Sequence, residues 1–216
     1  MIVTNLIEIS KKQCKVMIDD EFAFVLYKGE LPLYGIKKGQ SLDDSEYEKI
    51  INEVLMKRTK LRAMNLLKSR AYTEKKLRDK LHMGQYPEVC IEEAISYVKS
   101  YGYVNDVQYA SDYLFYHGGR LNKQQVFLKL REKGISDEII QNAYDNFCEN
   151  GNAPEEEELI AQFLRKKKFG QQGSDRKEEQ QKLTRSLLQK GFSYDKILRT
   201  FASYGKSDEE NCDFSP

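Results

Sequence analysis

The chain has 216 residues, 32% of them charged and 40% hydrophobic, with a net charge of only +1, which is much charge over too modest a core for one deep globule. Four scattered cysteines (Cys14, Cys90, Cys148, Cys212) and two histidines leave no disulfide framework and no metal-ligand spacing, and point to a reducing cytoplasm. No apolar run approaches about 18 residues and the opening MIVTNLIEISKK has no signal-peptide pattern, so neither a membrane span nor an export signal is expected.

The N-terminal part differs from the rest. Val3, Leu6 and Ile7 begin an apolar segment that breaks at Ser10-Lys11-Lys12. The β-rich runs Cys14–Ile18 and Phe22–Tyr27 then flank Asp19-Asp20-Glu21, and this spacing predicts a hairpin. Leu31-Pro32-Leu33-Tyr34 and the Gly35 to Gly39 turn complete a β-containing extension over residues 1–44. Ser41 to Asp44 offers N-cap residues, after which Ile50, Ile51, Val54, Leu55, Leu61, Met64 and Leu67 recur at helical spacing.

From there to residue 205 the pattern is helices joined by short turns, and it repeats. Leu77, Leu81, Tyr86, Ile91, Ala94 and Ile95 return 49 residues later as Val126, Leu130, Ile135, Ile140, Ala143 and Tyr144. A further shift of 57 brings Leu183, Leu187, Phe192, Ile197, Thr200 and Phe201. Ahead of each lies a helix marked by Ala63-x-x-Leu66, Ala110-x-x-Tyr113 or Ala161-x-x-Leu164. The fold class is therefore mainly α: tandem three-helix repeats at 45–106 (with a leading helix), 107–150 and 155–205, in an elongated curved array, followed by a disordered acidic tail at 206–216. Thr73, Asn122, Ser136 and Ser193 stand where N-caps are needed, and Gly134 and Gly191 where the middle helix must stop. Gly151–Pro154 is a linker, and Gly170–Asp175 separates the first two helices of the third repeat.

Charge is unevenly placed. Lys57 to Lys80 holds ten basic residues against Glu74 and Asp79, which suits a polyanion or an acidic protein surface. Candidate contact residues are Arg70, Lys75, Lys76, Arg78 and Lys80 in the first repeat, and Arg120, Lys123, Lys129, Arg131 and Lys133 in the second. The favoured alternative for Arg70 is structural, tying the first helix to the second by hydrogen bonds to a helix C-terminus. Lys75, Lys76, Arg78 and Lys80 share a helix whose apolar face is Leu77 and Leu81, and so should be exposed. Tyr97, Tyr101, Tyr103, Tyr109 and Tyr113 fall where helix packing would use them, a base-stacking platform being the lesser reading. No phosphate-binding glycine loop, nucleophile elbow or zinc motif is present, and Glu155–Glu158 suits a helix start, so no enzyme, cofactor or metal is expected.

Three phrases carry a resemblance to the RecX family: Ala63-Met64-Asn65-Leu66-Leu67-Lys68-Ser69-Arg70 followed by Thr73-Glu74-x-x-Leu77-x-x-x-Leu81; Gly102-Tyr103-Val104-Asn105-Asp106-x-x-Tyr109-Ala110; and Leu130-x-x-Lys133-Gly134-Ile135. The likeness spans roughly residues 60 to 205. Asn105 replaces the family's usual first acidic residue, while Asp106, read as the N-cap of the next helix, is kept, and the loop at Gly170–Asp175 is longer than usual. The resemblance implies a monomeric cytoplasmic regulator in DNA repair, recombination and the SOS response. Such a protein binds the groove of the RecA nucleoprotein filament, suppresses its ATPase and strand exchange, limits its growth or promotes its disassembly, and contacts single- or double-stranded DNA. The alternative is a nucleic-acid-binding helical protein acting independently of RecA.

Overall fold

The computed structural model describes residues 1–170 and 176–204. The expected tail at 206–216 and most of the Gly170–Asp175 loop lie outside the described residues. The chain divides into two compact units, Met1–Asp106 and Val107–Pro216.

The N-terminal extension is a three-stranded antiparallel sheet in sequence order, β1 (Val3–Glu8), β2 (Gln13–Ile18) and β3 (Glu21–Tyr27). The hairpin expected from the sequence is β2–β3, with Asp19 and Asp20 at left-handed φ of 48° and 66° between the paired Ile18 and Glu21. The sheet adds to the expectation that Val3–Glu8 is a strand too. Its Ser10-Lys11-Lys12 break is the return turn, and the Asp19 carboxylate accepts the Ile2 N–H at 2.8 Å. A hairpin alone is marginal, and the third strand widens the apolar face. Cys14, Val16 and Ile18 alternate inward and are buried, and Val3, Val16, Ile18, Phe24 and Leu26 pack on Ile36, Leu42, Ile50, Ile51 and Leu55.

Those isoleucines belong to a continuous helical stretch. Helix α1 (Asp44–Lys49) starts at Asp43, whose carboxylate accepts the Glu46 N–H at 2.7 Å in a reciprocal capping box. A π-helical segment, Ile50–Leu55, leads into α2 (Met56–Ser69). The wider turn re-aims the buried stripe. Ile50, Ile51 and Leu55 face the sheet core, whereas Ala63 faces the first helical core with α3 (Glu74–Met83) and α4 (Glu88–Ser100). At the handover the Thr59 hydroxyl donates to the Leu55 carbonyl at 2.7 Å.

The second unit holds α5 (Asp106–His117, its first residue at the boundary), α6 (Lys123–Glu132) and α7 (Asp137–Glu149), then α8 (Glu156–Lys166), α9 (Arg176–Gln189) and α10 (Tyr194–Tyr204). Each triplet closes on its own small core: Ala110, Leu114, Val126, Leu130, Ile135 and Ile140 in one, Ile160, Leu164, Leu187, Phe192 and Ile197 in the other. The sequence pattern placed Ala161 beside Ala63 and Ala110, but the fully buried residues of α8 are Ile160 and Leu164, with Ala161 half-buried. The pairs that repeat are Ala110/Leu114 and Ile160/Leu164, four residues apart, so the alanine similarity is one position out of register.

The middle helices end as the glycines predict. Gly134 and Gly191 adopt φ of 87° and 85°, and behind them Ile135 and Phe192 donate to the carbonyls of Leu130 and Leu187 at 3.2 Å. In the first repeat this position is Gln85, at φ 58°. Gly191 is also tightly seated, since a Cβ there would lie 2.9 Å from Gln124 Cβ. Gly191→Ala is expected to lower stability by about 1–2 kcal/mol in a urea melt, from left-handed strain plus displacement of α6. A loss below about 0.3 kcal/mol would show that α6 yields freely.

Candidate partner-binding surface

The ten predicted contact residues separate into free and engaged groups once packing is known. On α3, Leu77 and Leu81 are fully buried, so Lys75 and Lys76 are thrown outward. Both are exposed, with no ion-pair partner among the described residues. Lys80 is half-buried.

Arg78 departs from the expected free surface. Its guanidinium donates to Glu88 Oε1 at 3.1 Å, to Glu74 Oε1 at 3.4 Å and to both oxygens of Glu92, and its side chain is only 24% exposed. Lys99 completes the network with a 2.6 Å bond to Glu74. Arg78 thus ties α3 to α4. The hydrogen bond to Glu92 is the main reason its pKa is raised, as that to Lys99 is the main reason the Glu74 carboxyl is held below its ordinary value.

Arg70 is exposed and makes a different contact from the one expected. It is the extended C-cap residue of α2, and its guanidinium lies 4.6 Å from the Tyr72 ring centroid, a cation–π contact in place of hydrogen bonds to a helix end. Asp106 also differs from its expected role. It is the first residue of α5, and its carboxylate accepts the Glu74 N–H at 2.9 Å, capping α3 alongside Thr73, which accepts the Lys76 N–H at 3.3 Å. Burial, ahead of that bond, pushes the Asp106 carboxyl up.

The tyrosines divide as well. Tyr97, Tyr109 and Tyr113 pack partly buried as expected. Tyr101 and Tyr103 instead point outward, 61% and 53% exposed, because the left-handed Gly102 between them turns the chain off α4.

In the second unit three of the five predicted residues line a groove of about 650 Å³ beside α6 and the end of α9. Lys123, Lys129 and Arg131 line it together with Lys190, Phe127 and Leu128, and Glu132 is its one acidic side chain among the described residues. Lys123, Phe127 and Arg131 form a stripe four residues apart. The Lys123 ammonium sits 5.4 Å from the Phe127 and Tyr144 centroids, and Arg131 5.6 Å from Phe127. Burial, ahead of neighbouring Cys148, pushes the Tyr144 phenol up to about 12, so Lys123 faces a neutral ring. Arg131 is held by Asp137 through bonds of 2.5 and 2.8 Å, whereas Lys129 is exposed and unpaired among the described residues. Lys133 stands off the groove, half-buried, 5.5 Å from the Tyr109 ring, and Arg120 is exposed in a 3-10 turn at Gly118–Arg120.

Asn122 sets the groove's geometry. Only 3% exposed, it accepts the Gln125 N–H at 2.9 Å to cap α6, and its amide donates at 3.0 Å to the Lys190 carbonyl at the end of α9. Sequence reasoning found the cap but missed Lys190. The signal was present, since Lys190-Gly191 repeats Lys133-Gly134 after 57 residues. Among the described residues there is no cluster of His, Cys, Asp or Glu suited to a metal and no helix long and apolar enough to cross a membrane. Burial pushes the Cys90 thiol up to about 11, which leaves it a poor nucleophile.

Comparison with known proteins settles the family. Residues 60–97 match the profile described as RecX, first three-helix domain, and residues 155–201 that of the third. The Regulatory protein RecX of Caldanaerobacter subterraneus is 31% identical over 199 residues, covering 91% of this chain and 96% of that one. The chain belongs to the RecX family of regulatory proteins. The RecX protein of Clostridioides difficile is 28% identical over 90% of both chains. Among solved structures, one titled as regulatory protein RecX aligns with a TM-score of 0.59 at 20% identity, over 93% of this chain and 98% of that one, and supports the fold. RecX from Lactobacillus salivarius aligns with a TM-score of 0.54 at 26% identity, over 68% and 95%.

The Arg78 network makes a pH prediction. Glu74 and Glu92 both titrate below their ordinary range, chiefly through hydrogen bonds from Lys99 and Arg78. Their contribution to stability is present above the unfolded carboxylate pKa of about 4.3 and is lost as pH falls through the lower folded values. Asp106, shifted upward, acts in the opposite sense. Thermal melts between about pH 6 and pH 3 should therefore show a smaller acid-induced fall for Arg78→Met than for the parent. Parallel curves would mean that the network contributes nothing.

Proposed function

We propose that the chain is a non-enzymatic regulator that binds the RecA nucleoprotein filament, lodges in its helical groove, and restrains ATP hydrolysis, strand exchange and filament growth. It acts as a monomer in the cytoplasm, in DNA repair, recombination and the SOS response. Membership of the RecX family supports this reading. The observation that carries it is that exposed, unpaired lysines recur on the middle helices α3 and α6 of successive repeats, Lys75 and Lys76 on one, Lys129 on the other. Cations repeated on the same helix of each unit suit a partner that is itself periodic and acidic.

Steady-state ATP hydrolysis by RecA on single-stranded DNA, titrated with the chain, should fall at well below one copy per RecA. Lys75→Glu/Lys76→Glu should need about tenfold more protein for the same effect, the loss of roughly 1.4 kcal/mol of binding. Unchanged hydrolysis at equimolar protein would overturn the proposal.

The Lys123–Phe127 pair in the α6 groove favours a second reading, direct binding of nucleic acid without RecA, since a cation beside an aromatic face suits a phosphate next to a base. That reading requires affinity for bare DNA that falls steeply with added salt while RecA hydrolysis is untouched.

A further inference from the structure

The walls of the α6 groove are fixed. The Asn122 amide donates to the Lys190 carbonyl at 3.0 Å, and Gly191 lies so close to α6 that a Cβ there would stand 2.9 Å from Gln124 Cβ. These contacts lock α6 against the end of α9, and the hollow of about 650 Å³ beside them is preformed. A second hollow, of about 400 Å³, shares Lys123 and Gln124 with the first and is lined further by Leu188, Gly191 and Phe192. Two hollows meeting at one lysine make an elongated channel, a shape that fits an extended segment better than a compact ligand.

The lining specifies the chemistry of that segment. Lys123, Lys129 and Lys190 are exposed and have no ion-pair partner among the described residues. Against them stand Glu132 and Glu156, the latter held by Lys196 at 3.1 Å. The channel therefore favours an anionic occupant. Phosphate alone does not account for the rest. Leu128 is 58% exposed in one hollow and Leu188 44% exposed in the other, and aliphatic seats of this kind take apolar side chains. Phe127, the ring on which a base would stack, already carries Lys123 at 5.4 Å and Arg131 at 5.6 Å from its centroid. The amides of Gln124, Gln125 and Gln189 both donate and accept, as pairing with a peptide backbone requires.

We propose that this channel seats an extended acidic peptide of a partner protein. Its carboxylates lie on Lys123, Lys129 and Lys190, with one apolar side chain against Leu128 and another against Leu188. The inference rests on the reading of the chain as a regulator that binds protein, but not on RecA being that protein.

The probe is a fluorescein-labelled peptide, Gly-Asp-Leu-Asp-Glu-Asp-Phe-Asp-Gly, added to the full chain and followed by anisotropy. Binding should saturate with a Kd below about 100 μM. Affinity should fall about tenfold with Lys123→Glu/Lys129→Glu, and about fivefold with Leu128→Ser or with serine in place of both apolar residues of the peptide. The three substituted side chains are exposed, so the folded core is untouched. Failure to saturate, or binding indifferent to Leu128→Ser, overturns the proposal. So does a single-stranded oligonucleotide that displaces the peptide and whose own affinity falls with the lysine reversals but not with Leu128→Ser, which assigns the channel to nucleic acid. RecA hydrolysis that still falls while the peptide does not bind would sink this inference and leave the regulator reading standing. Peptide binding with RecA hydrolysis unchanged would do the reverse.

Discussion

Every three-helix unit in this chain depends on stopping its middle helix within one residue and turning the chain back over the core. An α-helix ends with carbonyls that have no intrahelical partner, and a unit with fewer than ten fully buried side chains cannot leave them orphaned near its interior. A left-handed residue at the stop solves both problems, since it reverses the chain and brings the next two N–H groups onto those carbonyls. Gly134 and Gly191 do this without a side-chain penalty, and Gln85 reverses the chain at φ 58° with its own N–H on the His82 carbonyl. The residue that follows, Tyr86, Ile135 or Phe192, is thereby delivered to the core it must help to fill. The same device turns α4 at Gly102 and α7 at Gly151.

Once the turns are set, the surface follows. A short middle helix with two inward residues, Leu77 and Leu81 or Val126 and Leu130, has most of its circumference left over, and lysine fills it. The charges do not all remain available. The planar guanidinium fork, with five donors, engages carboxylates at two positions, Arg78 among three glutamates and Arg131 on Asp137 at the surface. Lysine, a hydrated point charge on a flexible stem, stays outside at Lys75, Lys76 and Lys129. With Arg78 engaged, the accessible Lys75, Lys76 and Lys129 give the two exposed helix faces their character. The same contrast also explains why net charge near zero coexists with strongly cationic patches.

Buried polar groups join the units internally instead of weakening them. Asn122 satisfies a helix start and a helix end with one side chain, and the Asp106 carboxylate accepts the Glu74 N–H at the start of α3. Asp106 bears the cost of that position, because burial raises its carboxyl pKa even while the Glu74 N–H opposes the shift. Among the described residues no buried side-chain nitrogen or oxygen is left without a partner.

Local chemistry alone determined much of this protein: the helical repeats, their caps at Thr73, Asn122, Ser136 and Ser193, their glycine stops and the family phrases. Each of these is written in residues close together in the chain, where spacing and conformational preference act directly. The β2–β3 hairpin was legible for the same reason, whereas β1 was not, because a strand identity conferred by pairing with Cys14–Ile18 leaves little trace in Val3–Glu8 itself. The site divides in the same way. That Lys75, Lys76, Lys123 and Lys129 face outward followed from the positions of their buried neighbours three or four residues away. That Arg78 is consumed by Glu88 and Glu92, that Arg70 rests on Tyr72, and that Lys190 meets α6 were decided only by tertiary structure. A long side chain finds its partner across space, and sequence spacing does not encode which charge will come within 3 Å of it.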